Sequence, residues 1–268
     1  MPATAPFHQT QFAELTWRGA PLRLEYQWVG VPDSSRPVVV FLHEGLGSLA
    51  LWKDFPDRFC RAGGFTGLVF SRYGYGRSTP RPLHERWPVD FMHQQAREVL
   101  PTLFEQLGVA RPWLFGHSDG GSIALLYAAS FPHDVAGLVV AAPHIIVEDL
   151  SVASIAAARE LYSEGKLREK LARYHDDVDS AFWGWNDIWL DPAFRAWDIR
   201  DELPGIGAPI LAVQGEDDEY GTLEQIYGIA RRAPQTRLLV LPQCGHSPHR
   251  DQSERLIQEA AHFMISHS

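Results

Sequence analysis

Pro112-Trp-Leu-Phe-Gly-His-Ser-Asp-Gly-Gly-Ser-Ile-Ala-Leu-Leu-Tyr-Ala-Ala-Ser130 is the stretch on which the fold turns. It opens as a short apolar run, Trp113 to Phe115, and closes as a helix that stops before Pro132, where a proline would break the hydrogen-bond ladder. Between them lies Gly116-His117-Ser118-Asp119-Gly120, which fits G-x-S-x-G. A serine at a sharp strand-to-helix turn crowds the residues two before and two after it. Glycine at both places lets the turn close and leaves the hydroxyl exposed. The following helix points its N-terminus at that hydroxyl, so positive partial charge faces any oxyanion formed there.

Upstream of this turn, Phe12 to Trp17 and Leu22 to Trp28 alternate like an antiparallel hairpin joined by Arg18-Gly19-Ala20-Pro21. Val31 to Arg36 reads as a polar loop. Pro37 to Leu42 and Gly67 to Phe70 are continuous apolar runs, as expected of strands buried on both faces. Leu49 to Ala62 carries Leu51, Trp52, Phe55 and Phe59 at helical spacing, with Pro56 placed to bend or shorten the helix. Asp90 to Leu107 is a helix with Asp90 as N-cap and Gly108 as terminator. Downstream, Val135 to Ala142, Pro209 to Gln214 and Arg237 to Leu241 read as strands, and Thr222 to Arg232 and Gln252 to Ile265 as helices. Strands alternating with helices predict an α/β fold: a mostly parallel central sheet with helices on both faces. In such sheets ligands bind at the carboxyl ends of the strands. Glycine-bearing loops at 43–48, 71–78 and 116–121, and those after Gln214 and Leu241, converge on that edge.

Residues 144–204 interrupt the alternation without a convincing strand. Ser151 to Ser163, Lys166 to His175 and Ser180 to Leu190 (with Asp179 as cap) read as helices, and Asp191-Pro192 as another helix start. A helical cap inserted before the last two strands follows, dividing the chain into a first core part (1–143), the cap (144–204) and a second core part (205–268). The cap is dense in aromatics: Phe182, Trp183, Trp185, Trp189, Phe194 and Trp197. They form the cap's own small core, or one or two of them line a pocket roof, with Trp183 and Trp185 the candidates.

The 268 residues carry 45% hydrophobic and 21% charged side chains, enough for a sizeable core. A formal charge of -9 argues against nucleic acid as a partner. Two cysteines, Cys60 and Cys244, indicate no disulfide framework. The N-terminal residues have no signal-peptide pattern and no apolar run reaches membrane length, so a cytoplasmic protein away from membranes is the simplest expectation. No metal-ligand spacing or complete dinucleotide fingerprint is present, so neither metal nor cofactor is expected.

A serine hydroxyl needs a general base, and the base an orienting carboxylate. The strand ending in Gln214-Gly215 is followed by Glu216-Asp-Asp-Glu219, and the last strand by Gly245-His246-Ser-Pro-His249. The order serine, acid, histidine resembles that of the α/β-hydrolase superfamily over nearly the whole chain. The resemblance implies Asp218 as the acid, from Gly215-Glu-Asp-Asp218, with Asp217 as the competitor. It implies His246 as the base, leaving His249 as a surface residue. It also implies an oxyanion hole from the backbone N–H groups of Asp119 and Gly45. Glu44 replaces the family's usual glycine in His43-Glu44-Gly45. Its carboxylate anchors the loop, touches substrate or opposes the oxyanion, and anchoring is the favoured expectation. Asp119 binds a polar substrate group or supports its loop, while Arg72 and Arg77 are expected as partners for such carboxylates. His144 opens the cap as a pocket residue or a hydrogen-bonded loop residue, and Leu46 joins Glu44 as a candidate substrate contact.

The function expected is a cofactor-free serine hydrolase that cleaves a small or medium carboxylic ester, thioester or lactone through an acyl-enzyme, on a small-molecule substrate with an apolar portion. Carbon–carbon bond hydrolases and acyltransferases use the same triad, and a slow-turnover binding protein on this fold is the alternative from another class.

Overall fold

The computed structural model describes residues 9–31 and 36–268. The Met1 to His8 segment and most of the polar loop expected at 31–36 lie outside the described residues. Eight strands form one sheet in the order β1-β2-β4-β3-β5-β6-β7-β8: β1 (Gln11–Trp17), β2 (Ala20–Val29), β3 (Val38–Leu42), β4 (Thr66–Phe70), β5 (Trp113–His117), β6 (Gly137–Ala141), β7 (Ile210–Gly215) and β8 (Thr236–Leu241). The first two strands are antiparallel, and β2 pairs antiparallel with β4. All the others pair in parallel, so their carboxyl ends share one edge. The hairpin turn is tighter than the sequence suggests. Pairing continues to Trp17 opposite Ala20, leaving only Arg18 and Gly19, both at positive φ, in the turn.

The period of two along the strands sorts side chains into two cores. Val39, Phe41, Phe115, Val139 and Val213 face α1 (Phe55–Gly63) and a C-terminal helix, Ser253–Ile265, on one side. Val40, Leu42, Leu114, Val140 and Ala212 face the other side, which is covered by the remaining core helices. These include α2 (Phe91–Gln94), α3 (Leu100–Leu107) and α4 (Asp119–Ser130).

Proline sets several boundaries. The helix expected from Leu49 begins only at Phe55, with Pro56 in its first turn, after a separate 3₁₀ turn at Ala50–Trp52. Between α2 and α3, a π turn at Gln95–Val99 precedes Pro101. A proline has no N–H and clashes with the carbonyl of the preceding turn, and the wider π turn accommodates it without ending the helix.

Between β6 and β7 the chain forms α5 (Asp149–Ser163), α6 (Lys166–Leu171) and α7 (Val178–Trp189), then a 3₁₀ turn at Pro192–Ala196. The N-cap of α7 is Asp177, whose side chain accepts from the Ser180 N–H, and not Asp179. Asp179 instead accepts from the Tyr162 hydroxyl and from Arg168, and lies two positions past the cap, inside the first helical turn. The chain closes with α8 (Glu224–Arg232), α9 (Pro248–Asp251) and α10 (Ser253–Ile265). Among the described residues no helix is long and apolar enough to cross a membrane.

Candidate active site

Ser118 sits at the junction of β5 and α4 with φ +52°, a conformation unusual for a residue with a side chain. The flanking glycines are required by contact. A Cβ on Gly116 would lie 2.4 Å from the Gly120 carbonyl oxygen, and one on Gly120 would lie 2.1 Å from the Leu42 carbonyl oxygen. The turn therefore closes against backbone on both sides and holds the serine at the mouth of a cavity of about 170 Å³.

Two later loops meet it there. His246 follows β8, and its Nε2 stands 3.0 Å from the Ser118 Oγ. Its Nδ1 stands 2.8 Å from Oδ1 of Asp218, which follows β7. Asp218 also accepts from the Tyr220 N–H and, through Oδ2, from Gln214 Nε2. Burial pushes the Asp218 carboxyl upward, but the hydrogen bond and charge of His246 outweigh it and leave the group below its ordinary range. Asp217 is exposed and makes only a backbone bond to the Cys244 carbonyl. Glu219 accepts from the His246 N–H.

The loop after β3 carries Glu44, Gly45 and Leu46 to the same cavity. Glu44 reaches His117 Nδ1 through Oε2 at 3.2 Å and Arg250 through Oε1 at 3.3 Å. Burial raises its carboxyl, yet the hydrogen bond and charge of His117, with Arg250, hold it well below the ordinary range. The arginines expected as carboxylate partners do not fill that role. Arg72 donates to the carbonyls of Glu44 and His43 and lies over the Tyr75 ring, while Arg77 lies over Phe12. The guanidinium is turned toward the loop backbone and the Tyr75 ring, and no hydrogen bond from it to a carboxylate is seen among the described residues.

Asp119, the first residue of α4, is fully buried. Its Oδ1 accepts from Trp189 Nε1 at 3.2 Å, and its Oδ2 has no partner among the described residues. Burial raises its pKa to about 6, against the opposing charge of Arg72. His144 is also buried, edge-on to Trp189, with burial lowering its pKa to about 3. Its backbone is pinned by Ser122, whose hydroxyl accepts from the His144 N–H and donates to its carbonyl, while Nδ1 has no partner.

Of the candidate contacts, Glu44, Leu46, His144 and Trp185 line the cavity with Gly45, Ser118, Asp119 and His246, but Trp183 does not. Trp183 lines a separate depression with Arg81 and Asp187 and packs against Tyr162 and Phe182. Helical spacing explains the split: in α7, Trp185 and Trp189 are four apart and share a face, while Trp183 looks elsewhere. Trp189, Ile155 and Tyr220 also line the cavity. For the first two, the i, i+4 pairing with Trp185 and an apolar stripe on α5 were the available signals. His249 corrects another expectation. It is buried against Trp52 and His117, and burial holds its imidazole well below the ordinary range. His249 lies within α9, whose packing turns the ring inward. Among the described residues, no group of three or more His, Cys, Asp or Glu could hold a metal ion.

Residues 39–259 match the model of the alpha/beta hydrolase family. The chain belongs to that family, and with it to the hydrolase class of enzymes. Among curated proteins it is 27% identical over 193 residues to serine hydrolase BPHL of Homo sapiens, a match covering 69% of this chain and 64% of that protein. It is also 27% identical over 219 residues to the bifunctional esterase/perhydrolase DCH of Acinetobacter calcoaceticus, covering 69% and 76%. Among solved structures, a thermophilic esterase from Thermogutta terrifontis superposes with a TM-score of 0.72 at 21% identity, covering 97% of this chain and 99% of the other.

Proposed function

We propose that the protein hydrolyses small carboxylic esters, thioesters or lactones through an acyl-enzyme on Ser118. The observation that carries this reading is the unbroken line from Ser118 Oγ to His246 to Asp218, at 3.0 and 2.8 Å. In this mechanism His246 takes the Ser118 proton as the hydroxyl attacks the carbonyl carbon, then returns it to the leaving alkoxide or thiolate. Asp218, accepting from Nδ1–H, fixes the tautomer that leaves Nε2 free to act. The backbone N–H groups of Gly45 and Asp119 hold the oxyanion, and the α4 N-terminus adds its partial charge. Water activated by His246 then releases the acid.

Residues 144–204 act as a cap over this site. The cavity of about 170 Å³ favours a short acyl or leaving group against Ile155, Trp185 and Trp189. The unpartnered Asp119 Oδ2 and His144 Nδ1 favour a substrate carrying a polar group close to the scissile carbonyl. The test is a panel of activated esters, thioesters, lactones and carbon–carbon cleavage substrates, with fluorophosphonate labelling. Native protein should turn over esters and take the label at Ser118. Ser118→Ala should lose both, Asp218→Asn should lose turnover by orders of magnitude, and Asp217→Asn should stay near native. Ester turnover that persists in Ser118→Ala refutes the proposal.

A further inference from the structure

We propose that His117 is a positioning residue that ties the oxyanion loop to the general base by donating a hydrogen bond from each ring nitrogen. The inference rests on the reading of His246 as base. The ring's Nε2 lies 2.6 Å from the backbone carbonyl oxygen of His246. A carbonyl oxygen only accepts, so Nε2 carries a proton. The other nitrogen, Nδ1, lies 3.2 Å from Glu44 Oε2. Glu44 already accepts from the Arg250 guanidinium through Oε1 at 3.3 Å, as a carboxylate does, so its Oε2 faces Nδ1 as an acceptor and Nδ1 is the donor. The ring thus bridges a carboxylate and a carbonyl, with the His249 ring edge-on at 4.7 Å.

The consequence is mechanical. Glu44 adjoins Gly45, His117 adjoins Ser118, and the carbonyl belongs to His246 itself. One imidazole therefore sets the spacing between the three loops that carry the oxyanion donor, the nucleophile and the base. It also changes the electrostatics of Glu44. His117 and Arg250 together offset its charge, so the carboxylate does not oppose an oxyanion held by Gly45. The substitution of glycine by glutamate at position 44 and the histidine within G-x-S-x-G form one device.

The bridge can be read directly by labelling the histidine rings with ¹⁵N and assigning His117 by the signals lost in His117→Gln. Native protein should show protons on both His117 nitrogens, and a bare Nε2 or a bare Nδ1 overturns the proposal. Kinetics read its consequence. Glu44→Ala should lower kcat about 10- to 100-fold on three unlike esters, with KM within about twofold, as expected when reacting groups are misplaced and not when binding is lost. Glu44→Gln should recover the larger part, because its amide oxygen still accepts from Nδ1–H. Native kcat in Glu44→Ala, a loss carried by KM, or a glutamine variant no better than alanine each refutes it. Ester turnover in Ser118→Ala would instead defeat the underlying mechanism, and the ring protons would still decide whether the bridge exists.

Discussion

Asp119 lies beside Ser118 with one carboxylate oxygen bonded to Trp189 and the other, among the described residues, unpaired in a buried setting. Folding raises its pKa from 3.8 to about 6, mainly through burial. A carboxyl raised in this way favours the folded state when protonated. That advantage is complete below the unfolded value of 3.8 and is lost as pH rises through about 6. Above that range, the ionised group costs up to about 3 kcal/mol by linkage. Asp119→Asn keeps an acceptor for Trp189 and removes the charge. It should therefore be more stable than the native protein at pH 8 and approach it by pH 4, as read from urea unfolding at both pH values. Glu44 and Asp218, whose pKa values are depressed, have the opposite dependence, but they are present in both proteins and cancel. A stability difference independent of pH would contradict this account.

In the elements, the turn at Ser118 shows how closely backbone contact restricts the sequence. Gly120 and Gly121 are neighbours in α4, yet their surroundings differ. A Cβ at 120 would lie 2.1 Å from a backbone oxygen that cannot move without shifting β3, whereas one at 121 would first meet Pro143 Cβ at 3.0 Å. Gly120→Ala should cost about 3 kcal/mol or more, as severe overpacking does. Gly121→Ala should stay within about 1 kcal/mol, since the gain in helix propensity offsets the contact. Thermal unfolding of both variants checks the ranking. The G-x-S-x-G letters pointed to this turn because glycine is the one residue type without a Cβ to collide. The N-cap of α7 was harder to read. Asp176, Asp177 and Asp179 stand close together, and which of them caps depends on where the chain enters the helix.

Across the molecule, the segment between β6 and β7 packs against the carboxyl edge of the sheet through specific contacts. A Cβ on Gly45 would lie 2.2 Å from Trp185, so the indole rests directly on the oxyanion loop. His175 accepts from the Gly76 N–H and donates to the Leu46 carbonyl, joining this segment to two core loops. Trp185→Ala and Trp189→Ala should widen the cavity and shift selectivity from short toward longer acyl groups by about tenfold, equivalent to about 1.4 kcal/mol. Trp183→Ala, outside the cavity, should leave selectivity unchanged. Relative kcat/KM on acetyl, butyryl and octanoyl esters separates the three, and equal effects from all of them would refute the division.

The mostly parallel sheet, its cover on both faces and the neighbourhood of the site were legible in the chain. Periods of two and of helical length report burial directly, and glycine and proline report backbone conformation. The hydrolase class followed from Ser118 with acids and histidines after later strands, because sheet topology fixes the edge at which such loops meet. Which side chains touch across that edge depended on tertiary packing. Glu44 found Arg250, which is 206 residues away in sequence and belongs to a helix whose orientation no local pattern encodes. His249 turned inward because α9 packs against Trp52. Trp183 and Trp185 carry the same side chain two positions apart, and only the rotation of α7 on the core assigned one to the cavity and the other to a separate face.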